Sequence, residues 1–132
     1  MEYKTKETYT PIRTDRKVLH INTQNSCNQS CIFCMESREE RVLNGEKRKK
    51  KVPIETHKYV LKASTKKFEK VIFTSGEPTI NRDLPKLINY ARKQGYKEIA
   101  IQTNGRMLGY KKFCNHLIKN GLNGVGISIH GY

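Results

Sequence analysis

Four short apolar runs alternate with three longer amphipathic segments along the chain, and this alternation constrains the fold more than any other feature. The last three runs begin near residues 71, 98 and 125, so they recur every 27 residues. A strand followed by a helix and short loops takes roughly that length. Strands and helices that alternate in this order form a parallel sheet with right-handed crossovers. The sequence therefore predicts an α/β fold with parallel strands.

The pattern also predicts where the elements lie. The predicted strands are residues 18–23, 71–74, 98–103 and 125–129. A first helix opens at Pro53 and runs to about Lys67, and Asn81 or Asp83 can cap the second. The apolar stripe of the second helix is Leu84, Leu87, Ile88 and Ala91, before Gly95. The stripe of the third is Tyr110, Phe113, Cys114, Leu117 and Ile118, before Gly121.

Residues 1–16 are expected to form an N-terminal arm, 17–132 the folded domain, and 36–52 a charged excursion within it.

Every unusual polar motif follows the carboxyl end of a predicted strand. The motifs are residues 27–34, 75–79, 102–105 and 128–131. Ligands of parallel α/β folds bind at this edge of the sheet. The four motifs are therefore expected to converge on one active site, although about a hundred residues separate the first from the last.

Cys27, Cys31 and Cys34 form a CX3CX2C motif in the first of these segments. Three thiolates can hold a metal or an iron–sulfur cluster and leave one coordination position open for chemistry. A structural zinc site needs a fourth ligand, which would be one of His20, His57 and His130. Because the spacing is looser than CX2C and the chain has no second CX2C pair, we favour the open site over structural zinc.

The remaining candidate residues have plainer interpretations. Gly76-Glu77-Pro78 and Thr103-Asn104-Gly105 are also typical of turns, in which Glu77 would be a solvated charge and Asn104 a cap of the third helix. His57 and His116 are expected at the surface and Cys114 in the core, and the role of His20 stays open.

Length and composition limit the number of domains, the kind of partner and the cellular compartment that can be expected. The chain has 132 residues, which suits one domain with a core, and its net charge is +14. The charge fits an anionic partner or simply a lysine-rich proteome. No apolar run approaches the roughly 20 residues of a membrane span, and the N-terminus is polar. We therefore expect a cytoplasmic protein with no membrane partner, in which clustered cysteines indicate metal or redox chemistry.

In combination, these motifs resemble the radical S-adenosylmethionine (SAM) superfamily. Residues 27–34 are similar to its CX3CXΦC motif, with Phe33 at the aromatic position. Residues 75–78 resemble its GGEP motif, residues 103–105 its TNG segment, and residues 128–131 the end of its fourth strand. The resemblance implies a partial (β/α) barrel, of which this chain holds about four of the usual six βα units.

The resemblance also implies cofactors and residue roles. Cys27, Cys31 and Cys34 would ligate a [4Fe-4S] cluster whose fourth iron binds the amino and carboxylate groups of SAM. Reductive cleavage of SAM would give a 5′-deoxyadenosyl radical that abstracts hydrogen from a substrate. Further SAM contacts would be Gly76 and Glu77 to the amino group, Phe33 to the adenine, Ser128 to the carboxylate or ribose, and Asn104 to the nucleoside end. A reductant such as flavodoxin or ferredoxin would supply the electron.

Two departures from the family pattern matter. Ser75 replaces the first glycine of GGEP, and a positive φ at this position would strain a serine by about 1 kcal/mol or more. Strands five and six are absent, so we expect the sequence to be the N-terminal part of a longer reading frame. The 132-residue chain alone is then expected to cleave little or no SAM.

The substrate implied by the motif arrangement is a peptide, a protein or a cofactor precursor. The basic charge keeps RNA open as a substrate. The alternative function is a non-catalytic, cysteine-rich module that binds metal or RNA.

Overall fold

The computed structural model of the protein describes residues 17–23, 27–29, 31–34 and 52–129. Within these ranges, four strands form one parallel sheet in the order β1-β2-β3-β4. The strands are β1 (Val18–Asn22), β2 (Lys70–Thr74), β3 (Glu98–Thr103) and β4 (Gly124–Ile127). The helices are α1 (Ile54–Ser64), α2 (Leu84–Gln94) and α3 (Lys111–Asn120). The predicted parallel α/β fold is confirmed, whereas the arm at 1–16 and nearly all of the excursion at 36–52 lie outside the described residues.

The core lies between one face of this sheet and the three helices. Ile21, Phe73 and Ile101 occupy the same register position on neighbouring strands, and each is at most 4% exposed. Leu61 of α1 and Leu117 of α3 pack into the same cluster. Burying a side chain of this size stabilises the fold by about 1.5–3 kcal/mol. The helices thus cover one side of the sheet, as in the wall of a (β/α) barrel.

Helix ends follow the predicted glycines. Gly95 ends α2 with φ +95° and Gly121 ends α3 with φ +119°, and the amide of each donates to carbonyls of the last turn. A positive φ costs glycine little because it has no Cβ. Both predicted helix stops are therefore confirmed.

The predicted stripe of α3 is only partly buried. Leu117 is fully buried and Phe113 packs against the core, but Tyr110 is 65% and Ile118 61% exposed. The prediction was wrong for these two residues because α3 is the last helix that the structure describes. It packs against α2 on one flank, and no described helix covers the other.

The polar segments after the strands are tied to the sheet by further main-chain pairing. The amide of Thr23 donates to the carbonyl of Thr74 at 3.0 Å. The amide of Ser128 likewise donates to the carbonyl of Thr103 at 2.9 Å. The ladder thus continues past the strand ends and fixes where the following loops begin.

His57 of α1 is buried, contrary to the surface position predicted for it. Its side chain is 5% exposed, makes a hydrogen bond with the backbone of Thr23, and leaves Nε2 buried with no partner among the described residues. Burial lowers the pKa of His57, although Thr23 and the charge of Asp83 act in the opposite direction. The sequence did not reveal this position because histidine is not normally counted as a core residue. Once His57 is counted as one, it pairs with Leu61 at the i, i+4 spacing of a buried helix face. His116 is exposed, as predicted.

We expect acidification to destabilise the protein through His57. A lowered pKa in the folded state means that the unfolded chain binds the proton more tightly, so stability is fully present above the ordinary pKa of about 6.5 and falls as the pH drops below it. Urea unfolding at pH 7.5 and pH 5.5 should show a smaller loss for His57→Leu than for wild type. His116→Leu is the matched control and should retain the wild-type loss, and an equal loss in all three chains would contradict the prediction.

Candidate active site

One cavity lies at the carboxyl edge of the sheet, and all four predicted motifs contribute to it. Its volume is about 290 Å³. The sequence-predicted residues on its wall are Cys27, Cys31, Phe33, Cys34, Ser75, Gly76, Glu77, Asn104 and Ser128. Gln29, Thr74, Gln102 and Thr103 also line it. The structure therefore brings every proposed site residue to one place, while their proposed contacts with SAM stay predictions.

The cysteine loop forms the open side of the cavity. Cys27 is exposed, Cys31 and Cys34 are half-buried, and the amide of Cys34 donates to the carbonyl of Cys31 at 3.2 Å. Phe33 is 52% exposed and lies on the cavity wall, a position from which its ring can stack on a flat ligand.

The loop after β2 turns sharply because two successive residues have positive φ. Ser75 has φ +71° and Gly76 has φ +54°. The left-handed conformation puts the Cβ of a residue such as serine close to the backbone and costs roughly 1–2 kcal/mol. The strain anticipated for a serine at this position is therefore present, and it lies directly on the cavity wall.

We expect Ser75→Gly to stabilise the chain by about 0.5–1 kcal/mol, which is the relieved strain less the extra flexibility of glycine in the unfolded state. Ser75→Ala is the control, since alanine keeps the Cβ and should give no gain. Equilibrium urea unfolding of the three chains measures the effect. A Ser75→Gly chain no more stable than wild type would show that the loop relaxes around the serine.

Glu77 is the acidic residue among those that line the cavity, and it is buried to 1% exposure. Its Oε1 accepts hydrogen bonds from the hydroxyls of Thr79 and Thr103, both at 2.5 Å, and from the amide of Thr79 at 3.2 Å. Its Oε2 accepts from the amide of Asn104 at 2.8 Å. The carboxylate thus joins the loop after β2 to the loop after β3, so the interpretation of Glu77 as a solvated turn charge was wrong.

Asn104 organises the loop after β3. Its Oδ1 accepts a hydrogen bond from the amide of Arg106 at 3.1 Å. Its Nδ2 donates a hydrogen bond to Oδ1 of Asn28 in the cysteine loop. It does not cap the third helix as the turn interpretation suggested, because Tyr110 stands at the N-terminus of α3 and a short 3₁₀ turn, Arg106–Gly109, lies between.

Ser128 is oriented by a neighbour that sequence reasoning did not single out. Gln102 Nε2 donates to Ser128 Oγ at 2.9 Å. Gly126 pairs with Gln102 in the sheet, and a Cβ there would lie only 3.2 Å from Gln102 Cδ. The glycine thus leaves room for the amide. Because Ser128 Oγ accepts this hydrogen bond, its own proton is available for an acceptor in the cavity.

The donor set fits an iron–sulfur cluster. Three thiols from one loop are soft ligands of the kind that such clusters take. In the part of the chain that the structure describes, no three His, Cys, Asp or Glu side chains converge to hold a single metal ion. Cluster ligation does not require such convergence, since each cysteine binds a different iron. None of the described histidines lines the cavity, so the structure offers no support for a Cys3His zinc site through His20 or His57, and His130 lies outside the described residues.

Comparison with known families decides the membership of this chain. The family described as "Radical SAM superfamily" matches residues 21–132, which is most of the sequence. The chain belongs to the radical SAM superfamily. Its members are enzymes that use a [4Fe-4S] cluster and SAM, so the family resemblance read from the motifs is confirmed.

Several curated relatives within this superfamily are similar to the chain. It is 36% identical over 115 residues to a GTP 3′,8-cyclase of Aquifex aeolicus, covering 86% of this chain and 35% of that protein. It is 39% identical over 61 residues to an Fe-coproporphyrin III synthase of Methanosarcina barkeri, covering 46% and 15% of the two chains. The chain thus spans about a third of the length of the GTP 3′,8-cyclase that it matches.

A solved structure shares the fold of this radical SAM chain. The crystal structure of BtrN in an open conformation superposes with a TM-score of 0.69 at 19% identity, over 86% of this chain and 50% of that one. The likeness confirms the barrel-type architecture.

Within the described residues, no helix is both long and apolar enough to cross a membrane.

Proposed function

We propose that the cavity binds a [4Fe-4S] cluster through Cys27, Cys31 and Cys34 and SAM beside it. The observation that carries the proposal is that the three thiols share one cavity with the Glu77 carboxylate and the Ser128 hydroxyl. When bound, the reduced cluster supplies an electron that cleaves SAM to methionine and a 5′-deoxyadenosyl radical.

The protein's own residues would hold SAM through complementary charge and hydrogen bonding. Glu77 is a carboxylate in a buried setting, where a hydrogen bond from the N–H groups of the amino end of SAM is stronger than in water. Ser128 has a proton to donate, which suits a carboxylate or ribose oxygen. Phe33 and Asn104 would line the part of the site that holds the adenosine. Phe33 would stack on its adenine ring.

For the hydrogen donor, we propose a small anionic molecule in preference to a peptide, a protein or RNA. The names of the relatives, GTP 3′,8-cyclase and Fe-coproporphyrin III synthase, both denote chemistry on small molecules. The net charge of +14 favours an anionic substrate. GTP is the first compound to test, and it is tested by binding because this chain is expected to cleave little SAM: equilibrium dialysis should show GTP binding to the reconstituted, SAM-loaded chain, and a lack of binding would count against a nucleotide substrate.

The proposed cleavage also needs a one-electron reductant, for which we propose a flavodoxin or a ferredoxin. Either protein should reduce the reconstituted cluster in an anaerobic titration. If only a small chemical reductant could do so, the docking of such a carrier would be contradicted.

Equilibrium dialysis with labelled SAM tests whether the binding site depends on the cluster. The reconstituted chain should bind about one SAM, and the cluster-free chain should bind SAM at least roughly tenfold more weakly, because the cluster would supply part of the binding site. Ser128→Ala should weaken binding to the reconstituted chain by about fivefold, the worth of one hydrogen bond. Equal binding with and without the cluster would contradict the proposal.

A further inference from the structure

The cysteine loop is fastened to the loop after β3 by contacts that the proposed function does not assign. Asn104 Nδ2 donates to Asn28 Oδ1 at 2.7 Å, and Arg106 Nη1 donates to the carbonyl oxygen of Asn28 at 2.9 Å. Asn28 directly follows Cys27 and precedes Cys31 by three residues. Both hydrogen bonds therefore act on the segment between the first two thiols.

The other end of this connection is anchored in the buried part of the site. The amide of Asn104 donates to Glu77 Oε2 at 2.8 Å, and Asn104 Oδ1 accepts from the amide of Arg106 at 3.1 Å. Gly105, with φ +80°, makes the tight turn between these residues. The two donors that reach Asn28 thus extend from a loop whose own geometry is fixed.

In its described part, the cysteine loop is placed by polar contacts more than by apolar packing. None of the described residues 27–29 and 31–34 belongs to the hydrophobic core, and the apolar Ile32 is 77% exposed. Without apolar burial, the position of such a loop depends on its polar contacts and on whatever it binds. The hydrogen bonds to Asn28 are therefore well placed to set the spacing of the thiols.

Arg106 also brings a positive charge next to the cysteine loop. A cluster with three thiolates carries net negative charge and gains another negative charge on reduction. A nearby cation stabilises the reduced form more than the oxidised form, so it raises the reduction potential.

We propose that Asn28, Asn104 and Arg106 form a positioning clamp that holds the cysteine loop in its cluster-binding shape, and that Arg106 also raises the reduction potential of the cluster. The inference rests on the proposed function, because it takes Cys27, Cys31 and Cys34 as cluster ligands. It assigns to Arg106 a role that a purely structural residue would not have.

Two pairs of variants of the reconstituted chain separate position from charge. Asn28→Ala removes the acceptor for Asn104, whereas Asn28→Asp keeps an oxygen there and adds a negative charge. Arg106→Ala removes both the hydrogen bond and the charge, whereas Arg106→Lys keeps the charge. Arg92→Ala is the matched control, since this exposed arginine lies in the last turn of α2 and does not line the cavity.

The rate of iron loss to a chelator and the midpoint potential are measured for each chain. We expect Asn28→Ala and Arg106→Ala to lose iron about fivefold faster than wild type, as expected for the loss of one hydrogen bond to the loop. Asn28→Asp should retain iron like wild type but have a more negative potential. Arg106→Ala should also have a more negative potential, while Arg106→Lys and Arg92→Ala should not.

The outcomes distinguish this inference from the function on which it rests. A wild-type chain that assembles a cluster, together with variants that match it in iron retention and potential, would overturn the clamp and leave the proposed function standing. A wild-type chain that assembles no cluster would overturn both.

Discussion

Replacing any one of Cys27, Cys31 and Cys34 by alanine should abolish stable cluster binding. Loss of a residue that only supports a metal ligand already costs 10–100-fold in affinity, so loss of a ligand should cost at least about tenfold. After anaerobic reconstitution and desalting, each variant should hold about a tenth of the wild-type iron and sulfide or less. Alanine is chosen over serine because a serine oxygen can still bind iron.

Cys114→Ala is the matched control for these variants. Cys114 lies on α3, where its thiol donates to the carbonyl of Leu108 at 3.2 Å, and it does not line the cavity. Its replacement should leave the iron content unchanged. If Cys114→Ala lost as much iron as Cys27→Ala, or if all four variants kept the wild-type content, the assignment of the ligands would be contradicted.

Glu77→Leu should destabilise even the cluster-free chain by about 4 kcal/mol. Hydrogen bonds to a charged acceptor contribute about 1.5–3 kcal/mol each, and buried donors that lose their acceptor retain the cost of desolvation. The change would leave the amide of Asn104 and the hydroxyls of Thr79 and Thr103 facing an apolar side chain. Urea unfolding measures the loss directly.

Two further variants sharpen the test of Glu77. Glu77→Gln keeps one oxygen but sets an NH₂ group against a donor, so an intermediate loss of about 2 kcal/mol is expected. Glu55→Gln is the exposed control; it breaks a surface ion pair with Lys58 and should cost about 0.5 kcal/mol or less. A Glu77→Gln chain as stable as the Glu55→Gln chain would show that the buried carboxylate does not join the two loops.

The sequence alone was sufficient to predict the sheet and the edge at which the candidate site residues gather. Apolar runs recurring every 27 residues predicted parallel strands, and the topology of such a sheet dictates that the segments after its strands meet at one edge. The convergence of Cys27, Glu77, Asn104 and Ser128 on one cavity follows from that rule. It required no knowledge of side-chain contacts.

The roles of individual side chains could not be predicted in the same way. Whether Glu77 is solvated or buried depends on Thr79 and Thr103 turning their hydroxyls toward it, and no local pattern reports this. The clamp between Asn28 and Arg106 joins residues 78 positions apart, beyond the reach of any periodicity. Sequence patterns describe periodic burial well, whereas polar contacts between loops depend on the completed fold.

Electron paramagnetic resonance of the reduced, reconstituted chain, recorded with and without SAM, tests the central claim most directly. The claim is that Cys27, Cys31 and Cys34 hold a cluster with one open position and that SAM occupies it. We predict a [4Fe-4S] signal whose g values shift when SAM is added. A signal that SAM leaves unchanged, or a colourless chain with one tightly bound zinc ion, would contradict it.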